Sequence, residues 1–363
     1  MSTKQERNST FEILRLILMF MIVLEHSLMV LTLHNYKPLS VIDNISWFIE
    51  AFTYCAVNVF FLITGYFAQD NVKLGRILKI WIKTIIYSFG IYLLAVVLGK
   101  ETMSIKNLVS YACPVLFKKY WFIQTYIVLA ILSPYIIKGL KTLSQKAHLT
   151  LICILLIFFS VHQTFIKVNM TLDTTQGYGI IWAVVLLIVG NYIHRYGDEI
   201  IKRTKTWIFA LGYVVVAVCV FISNCLVVRY NIGQGVTSRA NFYAYNSISM
   251  FVESIMLFCL FVKLSQSNWT SRIVNWLSES SLSVYLISSH PLLLYPLWSK
   301  VLNISGLVVY PAAFFTCDIL LCVLVVFVCI GIDKLLECIG KMFKVDKVYE
   351  AANNSALNKI INE

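Results

Sequence analysis

Ten stretches of about twenty mostly apolar residues follow one another along this chain, with short polar loops between them. A helix of about 20 apolar residues can cross a bilayer, because all its backbone hydrogen bonds are satisfied within the segment. The pattern therefore predicts an all-α integral membrane protein with about ten transmembrane helices. The predicted spans are 11–34, 47–68, 77–98, 120–138, 147–166, 178–194, 206–228, 243–264, 281–298 and 306–332.

The composition excludes most classes of soluble protein. Hydrophobic residues make up 59% of the 363 residues, charged residues 13%, and the mean hydropathy is +0.78. Such a chain lacks the polar surface of a soluble globule, and its composition is the opposite of that of disordered proteins. A soluble enzyme, a nucleic-acid-binding module and a disordered scaffold are therefore excluded. The ten cysteines form no Cys-x-x-Cys pair, so we expect neither a metal site nor a disulfide framework.

The distribution of basic residues predicts the orientation of the chain. The formal net charge is +12, but the basic residues are scattered through short loops and do not indicate a nucleic-acid partner. With the N-terminus inside, the inner segments carry twenty Lys and Arg residues and the outer segments carry nine. Because basic loops remain on the cytoplasmic side, we expect a multi-pass plasma-membrane protein with both termini in the cytoplasm.

The domain organisation predicted from the sequence is simple. We expect one membrane domain over 1–333 and a basic tail over 334–363, with no internal repeat. Helical spacing of the apolar tail residues predicts an amphipathic helix that contacts lipids along the inner membrane surface. These residues are Leu335, Leu336, Ile339, Met342 and Phe343.

The first predicted span contains four ionisable residues, Glu12, Arg15, Glu25 and His26. Ionisable residues inside a span are functional candidates, because their burial in lipid is unfavourable. Glu12 and Arg15 are one turn apart and can pair, and Arg15 and His26 lie within about 20° of the same helix face, about 16 Å apart along the axis. A structural alternative is that the pair extends to the interface and His26 bonds a neighbouring helix.

Three basic residues follow the second predicted span at intervals of three: Lys73, Arg76 and Lys79. A cluster of this kind can hold the phosphates of a nucleotide-bearing cofactor. Ordinary cytoplasmic positive charge or contact with lipid headgroups explains the cluster equally well.

Five motifs occur in the order found in the membrane acyltransferase-3 family. The first is Arg7-Asn-Ser-Thr-Phe-Glu-Ile-Leu-Arg15 with His26 eleven residues further on, and the second is Ala56-Val-Asn-Val-Phe-Phe-Leu-Ile-Thr-Gly-Tyr-Phe67. The third is Arg76-Ile-Leu-Lys79, the fourth is Tyr120-Trp-Phe-Ile-Gln-Thr-Tyr126 with Ser133-Pro134, and the fifth is Ser281-Leu-Ser-Val-Tyr-Leu-Ile287. Together they resemble that family over nearly the whole chain, in the form seen in capsule and exopolysaccharide O-acetyltransferases.

Two positions differ from the family pattern. Lys79 replaces the second arginine of the third motif, which keeps the charge but loses the planar guanidinium. In the fifth motif Ser288 follows Ile287 where a histidine is common, and the histidine comes two places later, at His290.

The resemblance implies transfer of an acyl group, most simply acetyl, from cytoplasmic acetyl-CoA to a hydroxyl of a surface polysaccharide or its lipid-linked precursor. His26 is the expected catalytic residue, either as general base or through an acyl-histidine. Arg15 braced by Glu12 is expected to organise the donor, and Arg76, Lys79 and Lys73 to bind its phosphates. Acceptor contacts are expected from Trp121, Tyr126 and His290, although an interfacial aromatic belt also explains Trp121 and Tyr126.

Two other functions are compatible with an intramembrane polar stripe. A transporter or exporter of small molecules or lipid-linked glycans also uses such charges. The spans lack the paired Gly/Pro interruptions in corresponding halves that indicate a transporter site. A membrane sensor or amino-acid-binding module on the same scaffold would not need His26.

Overall fold

A computed structural model describes residues 8–33, 35–165, 175–234, 241–342, 346–355 and 358. Over these ranges all regular secondary structure is helical. The helices are α1 (Ser9–Leu31), α2 (Val41–Thr53), α3 (Ala56–Tyr66), α4 (Leu74–Val97), α5 (Ile105–Ala112), α6 (Trp121–Lys141), α7 (Gln145–Leu156), α8 (His162–Phe165), α9 (Ile180–Tyr196), α10 (Asp198–Arg203), α11 (Thr206–Gly233), α12 (Ile248–Ser265), α13 (Arg272–Ser278), α14 (Ser281–Ser288), α15 (Leu294–Pro296), α16 (Pro311–Met342) and α17 (Asp346–Asn353).

Within the described ranges, eight segments are long and apolar enough to cross a membrane. They are Ser9–Leu31, Val41–Tyr66, Leu74–Val97, Trp121–Lys141, Gln145–Phe165, Thr206–Gly233, Ile248–Ser265 and Pro311–Gly340. Helix α9 is a shorter apolar helix of 17 residues. The predicted all-α membrane class is confirmed.

The predicted ninth span, 281–298, is not one continuous helix. Helix α14 ends at Ser288, a turn follows, and a π-helical turn at Leu297–Val301 comes after α15. Pro291 lies in the turn and explains the break, because proline has no backbone N–H and disfavours helical geometry in the residue before it. The polar backbone that results is tolerated where protein, and not lipid, surrounds it. Ser288 and His290 are both buried.

Two other predicted spans have different bounds in the structure. The second, predicted as 47–68, begins at Val41 and consists of two helices, α2 and α3. The last, predicted as 306–332, begins at Pro311 and continues to Met342. The first part of the predicted tail is therefore an extension of α16, whereas Phe343 lies outside the described residues.

Helix α1 is central to the bundle. It contacts α2, α3, α12, α13, α14 and α16. Its buried residues are mostly apolar, and Leu14, Leu18, Val23 and Leu28 are fully buried. A helix that is covered on most sides can carry polar groups away from lipid. The position of α1 therefore makes its ionisable residues available for a site inside the protein.

Helices α3 and α9 pack at short range through two glycines. A Cβ atom added at Gly65 would lie 2.2 Å from the carbonyl oxygen of Leu187, and one added at Gly190 would lie 2.4 Å from that of Leu62. Small residues of this kind allow close approach of helix backbones in membrane proteins. The second family motif thus contributes a packing residue, Gly65, to the core.

A buried ion pair fixes the broken ninth span to its neighbours. The Asp333 carboxylate on α16 accepts hydrogen bonds from the Lys83 ammonium at 2.9 Å, the Tyr87 hydroxyl at 2.6 Å and the Ser283 hydroxyl at 2.7 Å. These partners belong to α4 and α14. Three donors satisfy a carboxylate that would otherwise be destabilising in the interior. The network therefore holds α14 in place.

Both described ends of the chain lie on one face of the bundle, which we call the terminal face. The Asn8 side-chain amide donates to the carbonyl of Ser265 at the end of α12, and the Phe11 ring contacts Phe67, the residue that follows α3. Helix α17 packs on the start of α4, where the Gly75 N–H donates to the Asn353 side chain at 2.8 Å. The end of α1 and the start of α6 lie toward the opposite face.

Candidate active site

The first turns of α1 hold an ion pair. The Arg15 guanidinium donates to one Glu12 oxygen at 2.5 Å, and the Ser278 hydroxyl at the end of α13 donates to the other at 2.6 Å. The Glu12 side chain is 8% exposed and that of Arg15 is 27% exposed. Glu12 is thus fully engaged, whereas Arg15 retains an accessible edge near the terminal face. Arg7, which begins the opening motif, lies outside the described residues.

His26 lies eleven residues further along the same helix and is held at one nitrogen. Its Nδ1 shares a hydrogen bond of 3.2 Å with the hydroxyl of Ser289. Ser289 directly follows Ser288, the last residue of α14, at the break in the ninth span. By helical rise, His26 is about 16 Å from Arg15. One helix therefore carries a cation near the terminal face and an oriented imidazole deeper in the bundle.

The residue after His26 links α1 to the last long helix. The Ser27 hydroxyl donates to one oxygen of Asp318 on α16. Asp318 is fully buried, and its second oxygen has no hydrogen-bond partner among the described residues. This link fixes the position of α1 beside His26, although Asp318 was not a sequence-predicted site residue.

Two buried carboxylates from different helices lie near one another. Glu25 precedes His26 on α1, and Glu50 lies on α2. Glu25 and Glu50 are 6% and 5% exposed, and their carboxylates interact electrostatically. Each has one oxygen without a hydrogen-bond partner in the part of the chain that the structure describes. Glu50 was missed in the sequence reasoning, although it lies inside a predicted span and the rule that selected Glu25 applies to it equally. The same is true of Glu253 on α12, which is fully buried.

An aromatic cluster, formed by Tyr54, Trp121, Tyr178 and Tyr245, lies beside these carboxylates. The rings of Tyr54 and Tyr245 stack with their centroids 4.4 Å apart. The ring centroids of Trp121 and Tyr178 are 4.6 Å apart, and those of Tyr178 and Tyr245 are 4.9 Å apart. The Tyr54 and Tyr178 hydroxyls are 3.0 Å apart. Glu25 and Glu50 act electrostatically on the three tyrosines. Trp121 is thus part of a cluster and not an isolated interfacial ring.

Tyr126 lies outside this aromatic cluster. Its ring packs on Phe122 at 6.1 Å, and Phe122 in turn contacts Trp121 at 6.0 Å. Tyr126 therefore reaches the cluster only through an intervening ring.

His290 is enclosed by the protein and bonded on both sides of its ring. Its Nε2 lies 3.2 Å from the carbonyl of Ser88, and the N–H of Leu292 donates to Nδ1. The ring also stacks on Tyr111 at 5.6 Å. With both nitrogens engaged, His290 stabilises the turn of the ninth span, and we do not include it in the acceptor site proposed below.

Lys73, Arg76 and Lys79 lie at the start of α4 on the terminal face, and all three are exposed. Among the described residues none of them is paired with a carboxylate. Helix α17 covers an adjacent side of α4, where a Cβ at Gly75 would lie 2.2 Å from the Tyr349 carbonyl. The cluster is thus an unneutralised positive patch. No group of three or more His, Cys, Asp or Glu residues suited to a metal ion occurs in the described ranges.

The fold and these buried groups define a multi-pass membrane protein with a polar site inside its helix bundle. A family model described as an acyltransferase domain matches residues 8–333. The chain therefore belongs to the acyltransferase-3 family and is a membrane acyltransferase. It has no match among curated proteins or among solved structures.

Proposed function

We propose that this protein is an O-acyltransferase that moves an acetyl group from acetyl-CoA to a hydroxyl of a surface polysaccharide or its lipid-linked precursor. The observation that carries the proposal is the arrangement of α1, with the Glu12–Arg15 ion pair near the terminal face and His26 bonded to Ser289 deeper in the bundle. A donor and an acceptor that approach from opposite faces would meet at His26.

The proposed reaction begins with proton transfer to His26. An uncharged hydroxyl is a weak nucleophile, and an imidazole within hydrogen-bond reach removes its proton as attack proceeds. The hydroxyl oxygen forms a bond to the thioester carbonyl carbon, the carbon–sulfur bond breaks, and the imidazolium returns the proton to the CoA thiolate. In the alternative sequence, an imidazole nitrogen bonds to the thioester carbonyl carbon, the carbon–sulfur bond breaks, and the thiolate takes the proton of the acyl-imidazolium. The hydroxyl oxygen then bonds to the acyl carbon, the carbon–nitrogen bond breaks, and the imidazole takes the hydroxyl proton.

The donor is proposed to bind from the terminal face. Lys73, Arg76 and Lys79 form an exposed cationic patch suited to the donor phosphates. The accessible edge of Arg15 would contact the donor further in, and the acyl-bearing arm would extend along α1 toward His26. The excess of basic residues in the segments of this face supports placing the face and both termini on the cytoplasmic side of the plasma membrane.

The acceptor is proposed to bind at the aromatic cluster. Aromatic faces pack well against the apolar faces of sugar rings, and tyrosine hydroxyls provide polar contacts at the rim. The unpartnered oxygens of Glu25 and Glu50 can accept hydrogen bonds from sugar hydroxyls. Both features favour a polyhydroxylated acceptor over a purely apolar one.

The proposal is tested with purified protein in liposomes, acetyl-CoA labelled in its acetyl group, and lipid-linked glycan extracts as acceptors. We expect acceptor-dependent release of CoA and transfer of label to the glycan. A label that remains on the protein and is removed by hydroxylamine in the absence of acceptor would select the acyl-histidine sequence. Absence of transfer to every glycan, with label passing instead to lipid or protein, would overturn the proposed acceptor class.

A further inference from the structure

A cavity of about 470 Å³ opens on the terminal face, and the site described above does not use it. It lies between the loop that joins α3 to α4, the end of α6 and the end of α9. Its volume is within the range of cavities that hold small molecules and cofactors. The last lining residue of this loop is Asn71, two residues before Lys73.

One buried side chain on the cavity wall lacks a partner. Asn191 on α9 is 4% exposed, and its Oδ1 has no hydrogen-bond partner among the described residues. Burial of an unpaired amide oxygen is unfavourable, so this oxygen favours a ligand that donates an N–H to it. Gln69 and Asn71 add two further amides to the lining. Three amides offer the mixed donors and acceptors that match the edge of a heteroaromatic base.

The charged groups of the cavity favour an anion next to that base. Lys141 forms an ion pair of 2.5 Å with Asp70, whose pKa is lowered because Lys141 donates to it, so these two charges compensate. Arg195 uses Nη1 to donate to the carbonyl of Leu140 and has further N–H groups available. His194 is exposed, with its ring against Tyr66 at 4.9 Å. The lining therefore combines an aromatic ring with a guanidinium that has no carboxylate partner in the described part of the chain.

We propose that this cavity binds the nucleotide portion of the acyl donor, an adenosine 3′,5′-bisphosphate group. Asn191 would accept from the exocyclic amine of the base, His194 would pack against it, and Arg195 would contact a phosphate. The inference rests on the proposed function, because it assigns the nucleotide of the same donor. The adjoining cationic patch at Lys73 and Arg76 would then hold the phosphates that lead toward the reactive arm.

Two substitutions test the assignment, and the chain provides a matched control. Asn191→Leu removes the buried amide with little change in size, and His194→Ala removes an exposed ring whose loss does not open the core. Asn224 on α11 is 1% exposed and also has an Oδ1 without a partner in the described part of the chain. It does not line the cavity. Asn224→Leu therefore reproduces the substitution at an equally buried asparagine elsewhere.

The measurement is equilibrium binding of 3′,5′-ADP, CoA and phosphopantetheine to the full protein in nanodiscs by calorimetry. We expect Asn191→Leu to weaken the binding of 3′,5′-ADP and of CoA by about ten-fold, because one hydrogen bond is lost and the donor group of the base is left unpaired. His194→Ala should weaken the binding of both ligands by a smaller factor, and Asn224→Leu should leave it unchanged. Phosphopantetheine should bind to all variants equally.

Unchanged binding of 3′,5′-ADP to Asn191→Leu would overturn the assignment. The assignment would also be overturned if pyrophosphate displaced 3′,5′-ADP as effectively as CoA does. That result would define a site for phosphates or lipid headgroups. The two proposals fail separately. Binding of 3′,5′-ADP that depends on Asn191, without acetyl transfer to any glycan, keeps the nucleotide site and removes the proposed reaction. Acetyl transfer to a glycan, together with 3′,5′-ADP binding that does not depend on Asn191, keeps the proposed reaction and removes the nucleotide site.

Discussion

The Nδ1 atom of His26 and the hydroxyl of Ser289 share a hydrogen bond of 3.2 Å across the interface of α1 and α14. Ser289 occupies this position because α14 ends at Ser288, ahead of Pro291. A hydrogen-bond partner at one imidazole nitrogen restricts the orientation of the ring. The break in the ninth span thus supplies the group that orients the imidazole of the first.

Removal of this partner tests the orienting role. We predict that Ser289→Ala lowers kcat by about ten-fold, the effect of one hydrogen bond, and leaves the KM for acetyl-CoA unchanged. Ser289→Thr keeps the hydroxyl and should restore most of the rate. Ser299→Ala serves as the control, since Ser299 only donates to the carbonyl of Tyr295 at the surface. A kcat of Ser289→Ala equal to that of the control would contradict the role.

The guanidinium of Arg15 should be specifically required on the donor side. Arg15→Lys keeps the charge and loses the planar fork, so we predict an increase of about ten-fold in the KM for acetyl-CoA. Arg203→Lys is the matched control, because Arg203 pairs with Glu199 one turn away in α10 at an exposed position. Steady-state kinetics over a range of acetyl-CoA concentrations measures both. Equal KM values for the two variants would show that Arg15 has only a topological role.

Glu50 should act on the acceptor and not on the donor. Glu50→Gln preserves shape and replaces one carboxyl oxygen with an amide –NH2 group, and loss of that hydrogen-bond acceptor predicts an increase of about ten-fold in the KM for the glycan. The KM for acetyl-CoA should not change. Glu253→Gln is the control, because Glu253 is also a buried carboxyl group but interacts with Cys55 and not with the tyrosines of the aromatic cluster. An equal effect of both variants would indicate a general effect of buried carboxylates.

The close contact of α3 and α9 predicts a stability difference between two glycine substitutions. At Gly65 the new methyl group would meet backbone atoms of Leu187 at 2.2 Å, whereas at Gly90 it would meet nothing within 4 Å. Overpacking typically destabilises by about 1–3 kcal/mol, and alanine in a free helix position stabilises slightly. Thermal unfolding in detergent should show a lower Tm for Gly65→Ala and no decrease for Gly90→Ala. Equal Tm values would show that α3 can shift away from α9.

The features that depended on one helix could be predicted from the sequence. Helical geometry alone places Glu12 beside Arg15, and the ion pair is present. Apolar length alone identifies most of the spans. The proximity of Glu25 and Glu50 could not be predicted, because it depends on how two different helices pack. The same applies to the aromatic cluster, whose rings come from four separate parts of the chain.

The errors in the predicted elements have identifiable causes. The predicted span 281–298 is apolar enough to form one membrane helix, but it contains Pro291. The helix is broken at that point. The tail was predicted from its own periodicity, yet residues up to Met342 continue α16. The contact between α17 and the start of α4 depends on Gly75, where any side chain would clash, and such a contact has no signal in one sequence.

The central claim, that His26 carries the acyl transfer, is tested most directly by CoA release from acetyl-CoA in liposomes with a glycan acceptor. His26→Ala is compared with His162→Ala. His162 is the first residue of α8, and no step of the proposed reaction uses it. General-base catalysis typically contributes about 10²–10⁴-fold, so we predict that acceptor-dependent release falls by at least about a hundred-fold in His26→Ala and stays at the wild-type rate in His162→Ala. Acceptor-dependent release that persists in folded His26→Ala would contradict the account and place the chemistry elsewhere.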